Sequence, residues 1–136
     1  MDGAAGVAHI VGIAGKGMSA IAHHLRWRGW AVRGSDETLT RTCNPTIVNR
    51  LRDLGMELFE GHSARNLGED VDILVASNAI KKDCCELKEA AKRGVKIYSR
   101  AEMLQSLLDG KEVVGISGSH GKTTTTALIY EILKVW

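Results

Sequence analysis

Short apolar, β-branched segments alternate with segments of helical periodicity, and this alternation constrains the fold more than any other feature. It predicts strands at residues 7–13, 30–34, 56–59, 71–76, 95–98 and 112–117. It predicts helices at residues 17–28, 46–54, 86–93, 100–108 and 122–133. Strands that alternate with helices favour a parallel sheet covered by helices on both faces. The sequence therefore predicts an α/β fold with a Rossmann-like parallel sheet.

The polar segment at residues 109–112 predicts a boundary between two domains. Residues 1–110 hold a complete alternating set of elements, whereas residues 111–136 hold one strand, one loop and one helix. A unit this small is unable to bury both of its faces alone, so we expect it to be the start of a further domain. The apolar side chains of its helix should pack on the first domain or associate between chains; they are Leu128, Ile129, Ile132 and Leu133.

Composition and charge narrow the classes of partner. The 136 residues carry a formal charge of +2 and contain no long basic run, which gives no support for binding nucleic acid or a membrane. The three cysteines, Cys43, Cys84 and Cys85, show neither a disulfide framework nor a CxxC metal spacing. Reduced thiols, no basic leader and no apolar stretch of ~20 residues favour a cytoplasmic protein.

A glycine-rich loop between the sixth predicted strand and the last helix has the features of a phosphate-binding loop. Its residues are Gly118, Ser119, His120, Gly121, Lys122, Thr123 and Thr124. Glycines let backbone N–H groups point at an anion, and the helix N-terminus adds unpaired donors. Lys122 supplies a charge for the terminal phosphates of ATP, and Thr123 a hydroxyl for Mg²⁺. Ile116 stands where the general pattern has its first glycine.

A second glycine-rich loop follows the first predicted strand. It fits the dinucleotide pattern at Gly12, Ala14 and Gly17, with alanine in place of the middle glycine. Such loops hold a diphosphate on a helix N-terminus, and an acidic residue about 20 positions later binds a ribose hydroxyl. Asp36 stands at that distance, at the end of the second strand. The loop therefore suits a dinucleotide or a nucleoside-diphosphate compound.

Five segments together resemble the Mur ligases of bacterial cell-wall synthesis: GIAGKGMSAIA, GSD, ASNAI, RAEML and GSHGKTTTT. The resemblance extends from about residue 9 to residue 133, and the short glycine spacing of the family's ATP loop accounts for Ile116. It implies the N-terminal part of a three-domain, ATP-dependent, amide-forming ligase. It implies that the complete enzyme joins L-alanine to UDP-N-acetylmuramate through an acyl phosphate, with Mg²⁺, in the bacterial cytoplasm.

The resemblance also implies the site residues by position. The UDP-sugar would contact Gly12, Gly15, Lys16, Gly17, Met18, Ser19, Ser35, Asp36, Ser77, Asn78, Ala79 and Ile80. ATP would bind Gly118 to Thr124, with Lys122 and Thr123 in catalytic roles and Thr123 on the metal. A truncated chain of this kind is expected to bind the UDP-sugar without turnover.

Several alternatives stay open at this point. The long segment at residues 38–45 is also typical of the murein-peptide ligase of the same family. A Rossmann-type NAD-binding regulatory module would account for the first loop and Asp36 but gives no role to residues 118–124. His62, Arg100 and Glu102 could each line the site or serve structure alone. Trp27 and Trp30 are expected to close the first helix onto the sheet.

Overall fold

The computed structural model describes residues 5–40 and 44–135, so Cys43 lies outside the described residues. The strands are β1 (Val7–Val11), β2 (Ala31–Asp36), β3 (Glu57–Glu60), β4 (Ile73–Ala76) and β5 (Lys96–Ser99). Within the described residues they form one sheet in the order β3-β2-β1-β4-β5, and all pairs are parallel. This arrangement confirms the predicted α/β fold with a Rossmann-like sheet.

Five α-helices connect and extend the strands of the described chain. They are α1 (Lys16–Trp27), α2 (Pro45–Asp53), α3 (Cys85–Arg93), α4 (Arg100–Leu108) and α5 (Lys122–Leu133), and a short 3₁₀ helix spans Ala64–Asn66. The side chain of Asn44 caps α2 by accepting a hydrogen bond from the backbone of Thr46. Ser99 and Glu102 form a reciprocal capping box at the start of α4, which gives Glu102 a structural role.

The two faces of the sheet are covered differently. Ala8 and Ile10 of β1 pack in one core with α1, α2 and α4, whereas Val11 and Leu74 pack in a second core with α3. His9 lies two residues before Val11 and Ser35 is paired with Val11, so both side chains point to the same face as Val11, which is the α3 side. The helices therefore lie on both faces, and one face carries buried polar side chains.

The C-terminal segment differs from its prediction. Residues 112–118 form no strand and pair with none of the strands described above. Val113 and Val114 are 59% and 70% exposed, and no residue of α5 is buried. An isolated β-branched run gains no ladder hydrogen bonds, so its propensity alone does not make it a strand. The apolar face of α5 therefore does not pack on the sheet domain, which was one of the two outcomes predicted for it; the other is association between chains.

A second prediction is also wrong. Trp30 packs against the core beside the sheet, but Trp27 at the end of α1 is 80% exposed. Helical periodicity explains the difference, because Trp27 lies two residues after buried Leu25 and so points away from the sheet. Its ring contacts His24 on the same helix, at 5.6 Å between ring centroids.

Candidate functional site

The loop after β1 forms the centre of the candidate site. It lies at the carboxyl edge of the sheet, where β1 is flanked by β2 on one side and β4 on the other. Chain connections leave in opposite directions from these two strands, which makes this edge a topological switch point. In open parallel sheets, ligands bind at the carboxyl ends of the strands at such a point.

Hydrogen bonds to β2 set the course of the loop. Gly12 has φ +81°, which favours glycine, and its N–H donates to the carbonyl of Ser35 at 2.7 Å. Farther along, the N–H of Ala14 donates to Oδ2 of Asp36 at 3.1 Å. The other oxygen of Asp36 accepts hydrogen bonds from the backbone and hydroxyl of Thr38, at 3.1 and 2.9 Å. Asp36 therefore joins the predicted diphosphate loop to the end of β2.

The turn after β4 closes the other side of the loop. A Cβ on Gly12 would lie 3.0 Å from Cβ of Ser77, so the two chain segments are in close contact. The hydroxyl of Ser77 accepts a hydrogen bond from the backbone N–H of Ala79, and the backbone carbonyl of Ser77 accepts one from the N–H of Ile80. Asn78 and Ala79 are exposed at the tip of this turn. The structure thus brings this predicted segment against the predicted loop.

The first turn of α1 gathers positive charge. Gly15 occupies the N-cap position of α1, so no side chain caps this helix, and Lys16 is exposed beside it. A Cβ on Gly17 would lie 3.0 Å from Nη1 of Arg100, so this guanidinium lies against the second residue of α1. A helix N-terminus with two cations is suited to an anion such as a diphosphate. The sequence left the role of Arg100 open, and the structure places it at the loop.

Three predicted site residues lie inside the protein rather than in the crevice. Met18 packs in the core. The hydroxyl of Ser19 donates a hydrogen bond to the carbonyl of Lys16, and its backbone N–H donates to the carbonyl of Gly15. Ser35 is fully buried, and its hydroxyl contacts His62 and Glu86. No exposed Ser35 atom is present for a ribose contact, so we remove it from the candidate site. Met18 and Ser19 act by shaping the start of α1.

A buried polar cluster lies on the α3 side of the sheet, and it is centred on Glu86. Oε2 of Glu86 accepts a hydrogen bond from Ser35 at 2.6 Å, and Oε1 accepts from Asn66 at 2.7 Å and from the backbone of Ser63 at 3.2 Å. A ring nitrogen of His9 and one of His62 each lie 3.5 Å from Oε2. The cluster joins two strands, the segment after β3 and the first turn of α3.

The electrostatics of this cluster favour an ionised carboxylate. Burial acts to raise the pKa of Glu86, but the nearby imidazole of His9 and the hydrogen bonds from Ser35 and Asn66 outweigh it, and the pKa lies below its ordinary value. Burial raises the pKa of the neighbouring Cys84 thiol. Sequence reasoning passed over Glu86. Its spacing of four residues from buried Ala90 was the available signal that this helix face points inward.

The second glycine-rich loop precedes α5. Gly121 occupies the N-cap position of α5 with φ +79°, and no side chain caps the helix there. The ammonium of Lys122 donates to the carbonyls of Gly118 and Ser119, and the hydroxyl of Thr126 bonds back to the carbonyl of Lys122. His120, Thr123 and Thr124 are exposed. The loop thus combines an uncapped helix N-terminus with one lysine, which is the chemistry of a phosphate site.

Comparison with known protein families agrees with this geometry. Residues 7–112 match the family described as "Mur ligase family, catalytic domain". The chain belongs to the Mur ligase family. A curated Mur ligase, the UDP-N-acetylmuramate–L-alanine ligase of Syntrophomonas wolfei, is 45% identical over 92% of this chain. The chain spans 26% of the length of that relative.

Solved Mur ligases share the fold. The UDP-N-acetylmuramate–alanine ligase of Thermotoga maritima superposes with a TM-score of 0.83 at 34% identity, covering 95% of this chain and 29% of that one. A murein peptide ligase from Psychrobacter arcticus has the same TM-score, 0.83, at 29% identity, covering 95% of this chain and 26% of its own. In the part of this Mur ligase chain that the structure describes, every helix is too short or too polar to cross a membrane.

Proposed function

We propose that this chain is the UDP-sugar-binding part of a Mur ligase that joins L-alanine to UDP-N-acetylmuramate. The observation that carries the proposal is the position of Arg100 over Gly17, beside Lys16, at the uncapped start of α1. Two cations and a helix N-terminus suit the two negative charges of a diphosphate. The location at the switch point of the sheet agrees with this assignment.

The remaining groups around the loop suit the rest of a nucleoside diphosphate. Asp36 is held at the end of β2 by Ala14 and Thr38, at the position where acidic residues bind ribose hydroxyls. The exposed turn at residues 77–80 offers backbone groups and small side chains on the β4 side. We assign the diphosphate to Gly15, Lys16, Gly17 and Arg100, and the nucleoside to the side of Asp36 and the turn.

The loop before α5 fits ATP phosphates on its own geometry. Gly118 and Gly121 have positive φ, and a Cβ at Gly121 would meet no atom within 4 Å, so a phosphate can approach the backbone closely. Lys122 would hold the terminal phosphates, and the Thr123 hydroxyl would be the ligand that this chain gives to Mg²⁺. ATP with Mg²⁺ supplies the phosphoryl group that activates the substrate carboxylate in such ligases.

The choice of amino acid rests on the relatives. Among the solved structures, the alanine ligase of Thermotoga maritima is 34% identical and the murein peptide ligase of Psychrobacter arcticus is 29% identical, each over 95% of this chain. The curated relative from Syntrophomonas wolfei, named for L-alanine, is 45% identical. Because the chain spans 26% of that curated relative, the decisive test uses the complete parent protein. It would be given ATP, Mg²⁺ and UDP-N-acetylmuramate with either L-alanine or the tripeptide L-alanyl-γ-D-glutamyl-meso-diaminopimelate. Mass spectrometry should find the alanine adduct; the tripeptide adduct alone would identify a murein peptide ligase.

Binding by this chain is tested separately. In isothermal titration calorimetry the 136-residue chain should bind UDP-N-acetylmuramate and UDP but not NAD. Binding of NAD without binding of UDP would favour the regulatory module instead. With ATP and L-alanine present, the chain alone should form no product, because its relatives are about four times as long. Detectable ligation would contradict that expectation.

A further inference from the structure

Three kinds of metal-binding side chain meet beside the first turn of α3. His62 follows β3, Cys84 caps α3, and Glu86 lies in the first turn of that helix. One ligand atom from each side chain lies within 4.8 Å of the others. Imidazole nitrogen, thiolate sulfur and carboxylate oxygen together match the ligands that Zn²⁺ takes in proteins. Neither glycine-rich loop contributes a residue to this cluster, so the proposed UDP-sugar and ATP contacts do not explain it.

Glu86 is already held as a ligating carboxylate would be. Its Oε1 accepts two hydrogen bonds, from Asn66 and Ser63, which occupy both lone pairs of that oxygen. Its Oε2 accepts one hydrogen bond, from Ser35, and so retains a second lone pair. Carboxylates that bind metals are oriented by outer hydrogen bonds of this kind.

The histidines add a second, independent observation. His9 is fully buried, neither ring nitrogen has a hydrogen-bond partner among the described residues, and Nε2 lies 3.5 Å from Oε2 of Glu86. A buried polar group without a partner costs free energy. The 3.5 Å between Nδ1 of His62 and Oε2 of Glu86 is close to the ~3.3 Å that separates two tetrahedral ligands at ~2.0 Å from zinc.

From these observations, we infer that His62, Cys84 and Glu86 bind one divalent cation of the zinc class. The three side chains leave a fourth tetrahedral position for water. If Nδ1 of His62 is the ligand, binding of the cation replaces the hydrogen bond between His62 and Ser35 with a metal bond. Binding also requires the thiol of Cys84 to lose its proton. The cation would join the segment after β3 to the start of α3. Mg²⁺, which prefers oxygen ligands, should not compete.

Cobalt(II) is the probe for this site, because a thiolate ligand gives Co²⁺ an intense charge-transfer absorption in the near ultraviolet. Cys43, which lies outside the described residues, is replaced by serine throughout, so that the adjacent pair supplies the thiolates. The reduced 136-residue chain should bind one Co²⁺ with this band, and Zn²⁺ should abolish it. About one proton per cation should be released at a pH below the thiol pKa.

Cys85 provides the matched control, since it is the exposed neighbour of Cys84 and is not part of the cluster. Cys85→Ser should keep the band, whereas Cys84→Ser should lose it. His62→Ala should weaken Co²⁺ binding by at least about tenfold, the lower range for a disturbed metal site. Circular dichroism monitors folding, and Zn²⁺ should raise Tm in the Cys85→Ser chain but not in the Cys84→Ser chain. Absence of the band from the chain with Cys84 and Cys85 intact, or its loss with Cys85→Ser alone, would overturn the inference.

Discussion

Asp36 accepts a hydrogen bond from the backbone N–H of Ala14 through Oδ2, at 3.1 Å and across 22 residues of sequence. Its other oxygen is bonded to Thr38. We expect Asp36→Ala to weaken UDP-N-acetylmuramate binding by at least about tenfold, because loss of a charged hydrogen-bond partner costs about 1.5–3 kcal/mol. Calorimetry on the variant and on Glu37→Ala, an exposed neighbour, measures this. Equal affinity in the two variants would contradict the role of Asp36.

Gly34 of β2 pairs with Ile10 of β1, and the space around it leaves no room for a side chain. A Cβ there would lie 2.4 Å from the carbonyl oxygen of Ile10 and 2.8 Å from Cδ1 of Ile13. Gly34→Ala should therefore lower the free energy of unfolding by about 1–3 kcal/mol, the usual cost of overpacking a core. Gly115→Ala is the control, since a Cβ there meets nothing within 4 Å. Urea unfolding of both variants decides the matter, and an unchanged midpoint for Gly34→Ala would count against this packing.

Arg100 is expected to recognise the diphosphate rather than the nucleoside. Arg100→Ala should weaken the binding of UDP and of UDP-N-acetylmuramate by about tenfold or more, because a charge-assisted hydrogen bond of about 1.5–3 kcal/mol is lost. It should leave the much weaker binding of uridine unchanged. Arg52→Ala, an exposed arginine on α2, is the control. An equal loss for uridine and UDP would place Arg100 away from the phosphates.

The capping box at α4 predicts a dependence of stability on pH. Hydrogen bonds from the backbone and then from the side chain of Ser99 hold the pKa of Glu102 below its ordinary value of 4.5. A depressed folded-state pKa contributes stability that is present above pH ~4.5 and is lost as the pH falls through the folded pKa. The wild-type chain should therefore be more stable than Glu102→Gln at pH 7, and this difference should shrink below about pH 4. Urea titrations from pH 7 to 3 measure it; a constant difference would refute the assignment.

The exposed face of α5 predicts association between copies of this chain. Leu128, Ile132 and Leu133 are 61%, 59% and 64% exposed on this helix, and exposed apolar patches associate. Light scattering should show a mass that rises with concentration. The double variant Leu128→Glu, Ile132→Glu should remain a monomer, whereas Ala127→Glu, at an exposed position on the opposite side of the same helix, should not change the association. A wild-type monomer at all concentrations would exclude this contact.

Elements marked by local sequence signals were predicted most accurately. Helix α4 begins and ends where its pattern predicts, because the Ser99–Glu102 box and Gly110 are local features. Strand β1 ends early, at Val11, because Gly12 adopts a positive φ and turns the chain toward β2. The strand predicted at residues 112–117 does not form, since a strand needs a neighbour and none of the described strands pairs with this segment.

By itself, the sequence determined the alternation that makes a parallel sheet, both glycine-rich loops and the acidic residue at the end of β2. Each of these depends on short-range periodicity and turn chemistry. The tertiary structure decided what register and packing bring together. It placed Arg100 over Gly17, removed Ser35 from the crevice, and joined His9, His62 and Glu86. These residues are separated by dozens of positions, and only strand order and helix docking set their distances.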